Sequence, residues 1–309
     1  MHETLQPILD IIDEGLRIYR YKFTSFLLLV ASWLVLVSIS SGLSMLVAGR
    51  VGPEIAALSI LLWLVLALIL GMYLLVAISR LTLAARQEQS LDLGEAIALH
   101  PFRVIGMGCY SIVFYVLANI FVSVIAGICF CPICFVLPML ISSISIAFGE
   151  TGSFGSGVLV VTFLLLTLLL LLAYVLVIIL FGAIYSAMTY SLQSFIQDRL
   201  SFGQAVERSL NLIGYRFRQN ILAFMVASAI FGATSIAVTT AISMFLPFPL
   251  IFVLGEHSTA TQLVAASSWL IAVVVVLPPM PIWMTLWYQR NRDDREGSDL
   301  ERRINALGR

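Results

Sequence analysis

The chain alternates between long runs of apolar residues and shorter segments in which polar and apolar residues are mixed. A helix needs about 20 apolar residues to cross roughly 30 Å of hydrocarbon. Six runs reach this length: Thr24–Ala48, Ile55–Ser79, Val104–Ile128, Val158–Ser186, Ile221–Leu246 and Leu263–Tyr288. The pattern therefore predicts an all-α, polytopic membrane protein with six transmembrane helices.

A further apolar segment, Cys129–Phe148, lies between the third and fourth runs. Its Pro132 and Pro138 each lack a backbone donor and disturb a helix. We interpret the segment as a re-entrant or interfacial element on the outer face, which keeps the number of crossings even. The alternative is a full crossing, which would move the polar segment after the fourth run to the other side of the membrane.

Two of the mixed segments have the helical spacing that separates apolar from charged side chains. The apolar positions of the first are Leu9, Ile12, Leu16, Tyr19 and Phe23. Those of the second are Phe202, Val206, Ile213 and Phe217. We expect these amphipathic helices to lie in the membrane interface rather than to cross it.

The mixed segments also indicate an internal repeat. Asp92–Glu95 and Ser201–Gln204 both have the pattern of a capping box, and each precedes a membrane span. We therefore divide one membrane domain, residues 1–291, into three tandem units of about 1–87, 88–199 and 200–291. Each unit would be an amphipathic helix followed by a two-span hairpin, and residues 292–309 would form a charged tail.

Charge and composition indicate the class of protein and its orientation in the membrane. Apolar residues make up 61% of the chain and charged residues 11%, whereas soluble domains contain roughly 25% charged residues. This excludes a soluble enzyme and a disordered chain, and the net charge of zero gives no global attraction for nucleic acid. Of 17 basic residues, 16 fall on one side of the predicted topology, with Arg50 on the other. The positive-inside rule then places both termini in the cytoplasm.

Two motifs resemble a known family. Leu9–Phe23 looks like the opening of bacterial proteins of the glycerophosphoryl diester phosphodiesterase membrane-domain family, and Phe202–Leu210 with Arg216 and Phe217 resembles its second recurring motif. The resemblance implies a protein of the bacterial inner membrane. In that family the phosphodiesterase chemistry belongs to a separate soluble barrel, and the residues after Tyr288 are too few for a barrel of about 250 residues. It therefore implies no phosphodiesterase activity here.

Three of the four cysteines, Cys129, Cys131 and Cys134, lie close together, while Cys109 lies in the third run. Cys131 and Cys134 have the spacing of a dithiol redox pair, and an oxidising exterior would permit a disulfide. No basic residue or histidine lies near in sequence to lower a thiol pKa. We therefore favour a structural or disulfide role over a catalytic redox role, and expect no metal site and no cofactor.

Three polar residues are candidates for contact with a ligand. His100 and His257 lie in an inner and an outer segment, where a headgroup, solvent or a group presented by a partner subunit could be their neighbour. Asn119 is the one side-chain amide well inside a predicted span. With serines of the first span (Ser38, Ser40, Ser41 and Ser44) it could line a cavity in a transporter.

The fifth run carries a seam of small residues, repeated every four positions: Ala229, Ala233, Ala237 and Ala241. Small side chains allow two membrane helices to approach closely. The seam therefore predicts a helix contact, either within the chain against the first or sixth span, or with another subunit.

Together these features favour a non-enzymatic scaffold or accessory subunit of a larger inner-membrane assembly. Its partners would be membrane lipids and other membrane-protein subunits, and not nucleic acid. The first alternative is a transporter component or permease for an apolar or lipid-like substrate. The second is a membrane thiol oxidoreductase that uses Cys131 and Cys134.

The topology can be tested with reporter fusions at Gly155 and Arg292. We expect the first to report the outer side and the second the inner side, because basic residues hold their segments in the cytoplasm. The measurement is enzymatic activity of a reporter that works on only one side of the membrane. If both fusions report the same side, Cys129–Phe148 crosses.

Overall fold

The computed structural model describes residues 2–50, 52–89, 91, 93–148, 155–198, 200–255 and 258–297. Within these ranges every regular element is an α-helix. In chain order they are α1 (His2–Tyr21), α2 (Phe23–Ala48), α3 (Pro53–Arg86), α4 (Leu93–Ile97), α5 (Pro101–Phe148), α6 (Gly155–Ser191), α7 (Gln193–Gln197), α8 (Phe202–Gly214), α9 (Phe217–Phe245), α10 (Phe248–Leu254), α11 (Thr259–Val276) and α12 (Pro279–Glu296).

Six helical stretches in the described part of the chain are long and apolar enough to cross a membrane. They are Phe23–Ala48, Pro53–Arg86, Pro101–Val124, Thr167–Gln197, Phe217–Leu254 and Thr259–Glu296. Each overlaps one of the six predicted runs. The prediction of an all-α, multi-pass membrane protein is therefore confirmed.

The sixth run is not one helix, as the apolar pattern predicted, but two. Helix α11 ends at Val276 and α12 begins at Pro279. Prolines 278, 279 and 281 cause the break, because none of them can donate the backbone hydrogen bond that would continue α11. The Val275 carbonyl, whose helical donor would be residue 279, instead accepts the Tyr19 hydroxyl at 2.7 Å.

The sequence predicts that Cys129–Phe148 is a re-entrant or interfacial segment. The re-entrant alternative is wrong for the described backbone, and the interfacial one stays a prediction for this segment. Helix α5 runs unbroken through it for 48 residues, a length of about 72 Å. Pro132 and Pro138 lie inside the helix. A proline removes one helical hydrogen bond, but the apolar residues around it still favour a helix where water cannot satisfy the backbone. The segment therefore extends the third span beyond the length of a single crossing.

We expected the amphipathic helices α1 and α8 to lie in the membrane interface. Instead, both helices bury apolar side chains inside the protein. In α1 the buried side consists of Ile8, Ile11, Ile12, Ile18 and Tyr19. The predicted stripe is thus rotated, because Leu9 is 46% exposed; Phe23, which the stripe included, begins α2 and is 40% exposed.

Helix α8 shows the same rotation. Ala205, Ser209 and Leu212 are buried, whereas Phe202 is exposed; Phe217, which the predicted stripe included, begins α9 and is also exposed. The periodicity of apolar residues indicates which side chains share a side of a helix, but not whether that side faces lipid or protein.

Helix α12 lies at the centre of the packed core. Twelve of its 18 residues are buried, and it packs against α1, α3, α6 and α9. Trp283, Trp287 and Tyr288 are almost completely buried there. Most of the arginines with a described ion pair lie around this core, so we call it the arginine-rich end of the bundle.

The order of elements has the same form in the three predicted units: α1 before α2 and α3, α4 before α5 and α6, and α8 before α9 to α12. The Ser201–Gln204 capping box is confirmed, since Gln204 Oε1 accepts the Ser201 backbone N–H at 3.3 Å. Asp92 lies outside the described residues. The tandem repeat itself stays a prediction.

Gly15 tests the contact between α1 and α12. A Cβ at Gly15 would lie 2.5 Å from Trp283 Cδ1, whereas one at Gly203 of α8 would have no neighbour within 4 Å. We expect Gly15→Ala to lower stability by about 1–3 kcal/mol, because the indole must move. Gly203→Ala should be neutral or slightly stabilising.

Thermal unfolding of the purified variants in detergent measures this difference. Equal unfolding temperatures for the two variants would show that α1 is not held closely against α12.

Candidate functional site

A single buried carboxylate organises the charged side chains at the arginine-rich end. Asp198 follows α7, and its side chain is only 9% exposed. It forms an ion pair with Arg208, whose Nε lies 2.6 Å away. It also accepts hydrogen bonds from an Arg292 guanidinium nitrogen at 3.2 Å and from the Tyr288 hydroxyl. Two guanidinium groups therefore neutralise one carboxylate and join α8 and α12 to the end of α7.

Further ion pairs connect α12 and its neighbours around this centre. Arg208 also binds Glu296, and Arg216 binds Asp294 at 2.9 Å. These guanidinium groups are engaged by carboxylates of the same chain. The arrangement thus supports a structural role for the cluster rather than binding of an external anion.

The Asn220 side chain is a second buried polar centre. Its amide nitrogen donates to the carbonyls of Leu212, Ile213 and Tyr215 at 2.8–3.0 Å. Its oxygen accepts Trp287 Nε1 at 2.9 Å and the Asn291 amide at 2.7 Å. The side chain therefore satisfies carbonyls at the end of α8, where no following helical turn supplies donors, and ties them to α12.

Of the two histidines named as candidates, His100 lies within the described residues and His257 does not. His100 is exposed and stacks on Phe102 with ring centroids 5.6 Å apart. It lines a groove of about 800 Å³ together with Arg80 and Arg103. His257 lies outside the described residues. Arg80 lies on a different helix from Arg103, and only the fold brings it to His100.

Asn119 does not share a cavity with the serines of the first span. Its amide donates to the Tyr115 carbonyl at 2.8 Å, and it lies in a shallow groove lined by α5 residues. Ser40 bonds back to the Val37 carbonyl of its own helix, and Ser44 donates to the Ser59 carbonyl of α3. Backbone carbonyls thus satisfy these side chains locally.

Of the cysteines, only Cys109 has a described side chain, and it is a free, exposed thiol on α5. The side chains of Cys129, Cys131 and Cys134 lie outside the described residues. Their disulfide or redox role stays a prediction. Among the described residues, no three His, Cys, Asp or Glu side chains come close enough to hold a metal ion.

The alanine seam of α9 faces outward. Ala229 is partly exposed, and Ala233, Ala237 and Ala241 are exposed. The exposure of the last three gives no support for an intrachain contact there, and a contact with another subunit stays a prediction.

Helix α9 approaches α6 closely at Ser228 rather than at the alanine seam. Ser228 donates to the Ile179 carbonyl of α6 at 3.0 Å. A Cβ at Gly182 would lie 2.0 Å from the Ser228 hydroxyl oxygen. The contact with α6 thus forms through a serine and a glycine, and the alanines lie on a different side of the helix.

No protein-family model, curated protein or solved structure matches the chain. The surfaces and polar clusters described above are therefore the basis for a functional proposal.

Asp198→Asn tests the buried ionic centre. Removing the charge weakens the ionic contacts of Arg208 and Arg292 with a buried side chain, although Glu296 and Asp293 still pair with these arginines. We expect a loss of about 1.5–3 kcal/mol, the typical contribution of a hydrogen bond to a charged group. Asp294→Asn is the matched control and should cost less than about 1 kcal/mol, because its ion pair is more exposed.

The measurement is again thermal unfolding in detergent. A loss for Asp198→Asn no larger than that for Asp294→Asn would contradict a stabilising role for the buried carboxylate.

Proposed function

We propose that this protein is a non-enzymatic scaffold or accessory subunit of a larger assembly in the bacterial inner membrane, with both termini in the cytoplasm. The observation that carries the proposal is the outward-facing alanine seam of α9. Lipid tails are as apolar as leucine, so a membrane helix gains little from an alanine surface in lipid. The same surface lets another helix approach closely and gain van der Waals contact.

The distribution of packing supports this proposal. The arginine-rich end is a dense core. In the apolar part of the sixth span, which includes α12, 39% of the residues are buried inside the protein, against only 6% in the fourth span. The chain is therefore anchored at one end and leaves long apolar helix surfaces uncovered. Such surfaces suit partner helices from other subunits.

The two other hypotheses have less support. A permease would need polar groups gathered around a pathway, but Asn119 and the serines of α2 bond to nearby carbonyls in different places. A thiol oxidoreductase would depend on Cys131 and Cys134. Their side chains lie outside the described residues, so no contact of theirs supports this activity. We therefore do not propose either activity.

Leucine substitutions in the seam test the proposal. Ala233→Leu and Ala237→Leu should leave the isolated subunit folded, because both positions are exposed. They should lower partner recovery by at least about fivefold, since overpacking an interface typically costs about 1–3 kcal/mol. The measurement is quantitative mass spectrometry of proteins that co-purify from native membranes.

Ala57→Leu is the matched control, because Ala57 is an exposed alanine of α3 outside the seam. It should retain the partners. Unchanged recovery in both seam variants would overturn the proposed role of α9. Degradation of the seam variants before assembly would instead show that the seam is an internal contact.

A further inference from the structure

One side of helix α5 is turned away from the rest of the chain. On its packed side, Val104 and Met107 are buried in a cluster that includes Met72 and Val76 of α3. On the opposite side, residues follow one another at alternating steps of three and four positions: Cys109, Ile112, Val116, Asn119 and Ser123. All of them are exposed or partly exposed. We call this row the α5 seam.

The spacing of the α5 seam is that of a helix-packing surface. Alternating steps of three and four residues keep one side of a helix against a neighbour along its whole length. The shallow groove around Asn119 is lined by described residues of α5 alone. The seam is therefore open to a helix from outside the chain.

The Asn119 amide is the polar centre of the seam. Its nitrogen donates to the Tyr115 carbonyl at 2.8 Å, which takes one of the two amide hydrogens. The other hydrogen and the amide oxygen have no partner among the described residues. In hydrocarbon, a donor and an acceptor left in this way are costly, so the side chain favours a partner that offers both.

The depth of Asn119 excludes water and headgroups as that partner. Asn119 lies about 24 Å along the helix from Arg103, within the stretch Pro101–Val124 that is long and apolar enough to cross the membrane. Helix α5 continues beyond it as apolar sequence to Phe148. The amide therefore lies at the level of the hydrocarbon, which is about 30 Å thick.

We propose that the α5 seam pairs two copies of this chain in the membrane, with their Asn119 amides facing each other across a two-fold axis. A primary amide is both donor and acceptor, so two of them can exchange a pair of hydrogen bonds. Copies inserted in the same orientation carry Asn119 at the same depth, and a two-fold axis normal to the membrane brings each residue to its counterpart. A different partner would need its own polar group at that depth.

The surroundings of Asn119 in the seam agree with a dimer. The exposed β-branched residues Ile112 and Val116 precede it at the positions that would pack against the second helix. In parallel coiled coils, a single asparagine among such apolar positions fixes the register and the number of helices. The amide thus specifies the alignment of the two copies, and the apolar residues supply the contact.

This interface is independent of the proposed partner role of α9. Helix α9 packs against α6 and α11, whereas α5 packs against α3 and α6. A dimer through α5 uses none of the alanines of the α9 seam, so the two proposals can fail separately.

Energy transfer between labelled copies in liposomes, at increasing dilution with lipid, measures the dissociation constant of the dimer. We expect Asn119→Leu to weaken the dimer about fivefold to thirtyfold, the range that interhelical hydrogen bonds give in model membrane peptides. Asn119→Gln should keep part of the affinity because it retains the amide. Ala233→Leu of the α9 seam should leave the dissociation constant unchanged.

The matched control combines Asn119→Leu with Leu117→Asn. It keeps one amide and one leucine but moves the amide to another exposed side of α5, and it should dimerise as weakly as Asn119→Leu. Recovery of the original affinity would show that any exposed amide suffices and would overturn the proposal. Unchanged affinity in Asn119→Leu, or an unsubstituted chain that stays monomeric at every dilution, would also overturn it.

Cys109 provides a second measurement with a native residue. Its free thiol belongs to the same seam, so two copies should form a disulfide through it when membranes are oxidised with copper phenanthroline. The other thiols are removed by three substitutions: Cys129→Ser, Cys131→Ser and Cys134→Ser. The control, Cys109→Ser with Leu117→Cys in the same background, should give little crosslinked dimer. Equal crosslinking in the control would show random collision and overturn the paired seam.

Discussion

The break between α11 and α12 determines how the arginine-rich end is built. Prolines 278, 279 and 281 interrupt the helical hydrogen bonds between α11 and α12, and α12 is packed by four other helices. The break leaves the Val275 carbonyl without its helical donor, and Tyr19 of α1 supplies one. Burial raises the pKa of Tyr19 to about 12, so its hydroxyl keeps the proton that it donates. The same contact attaches α1 to the core.

From this core outward, the helices expose many apolar side chains, although α2 and α3 still meet through Ser44 and Ser59. In a soluble protein such surfaces would be unstable, but in a bilayer they are solvated by lipid and remain available to other helices. This explains why the alanine seam of α9 can be exposed while Ser228 and Gly182 form the close contact within the chain. The proposed scaffold role follows from this division between an anchored end and uncovered spans.

Arginines at the same end of the bundle have two different environments. Around Asp198 they are engaged by carboxylates and stabilise the fold. In the groove at the start of α5, Arg80 donates to the carbonyls of Glu95 and Ala98, and Arg103 lines the same groove. The positive-inside pattern treats all of these residues alike, because it depends on the net number of basic residues in a loop and not on their neighbours.

The sequence by itself determined the class of protein, the six spans and the presence of amphipathic helices, because these depend on apolar length and on local periodicity. It also predicted the Ser201–Gln204 capping box, an interaction over three residues. Tertiary structure alone decided that α1 and α8 face the protein, that α12 is buried and that the alanine seam faces outward. It also brought Arg80 to His100 and Arg103. Each of these depends on contacts between residues far apart in the chain, and a one-dimensional pattern does not contain the directions in which helices meet.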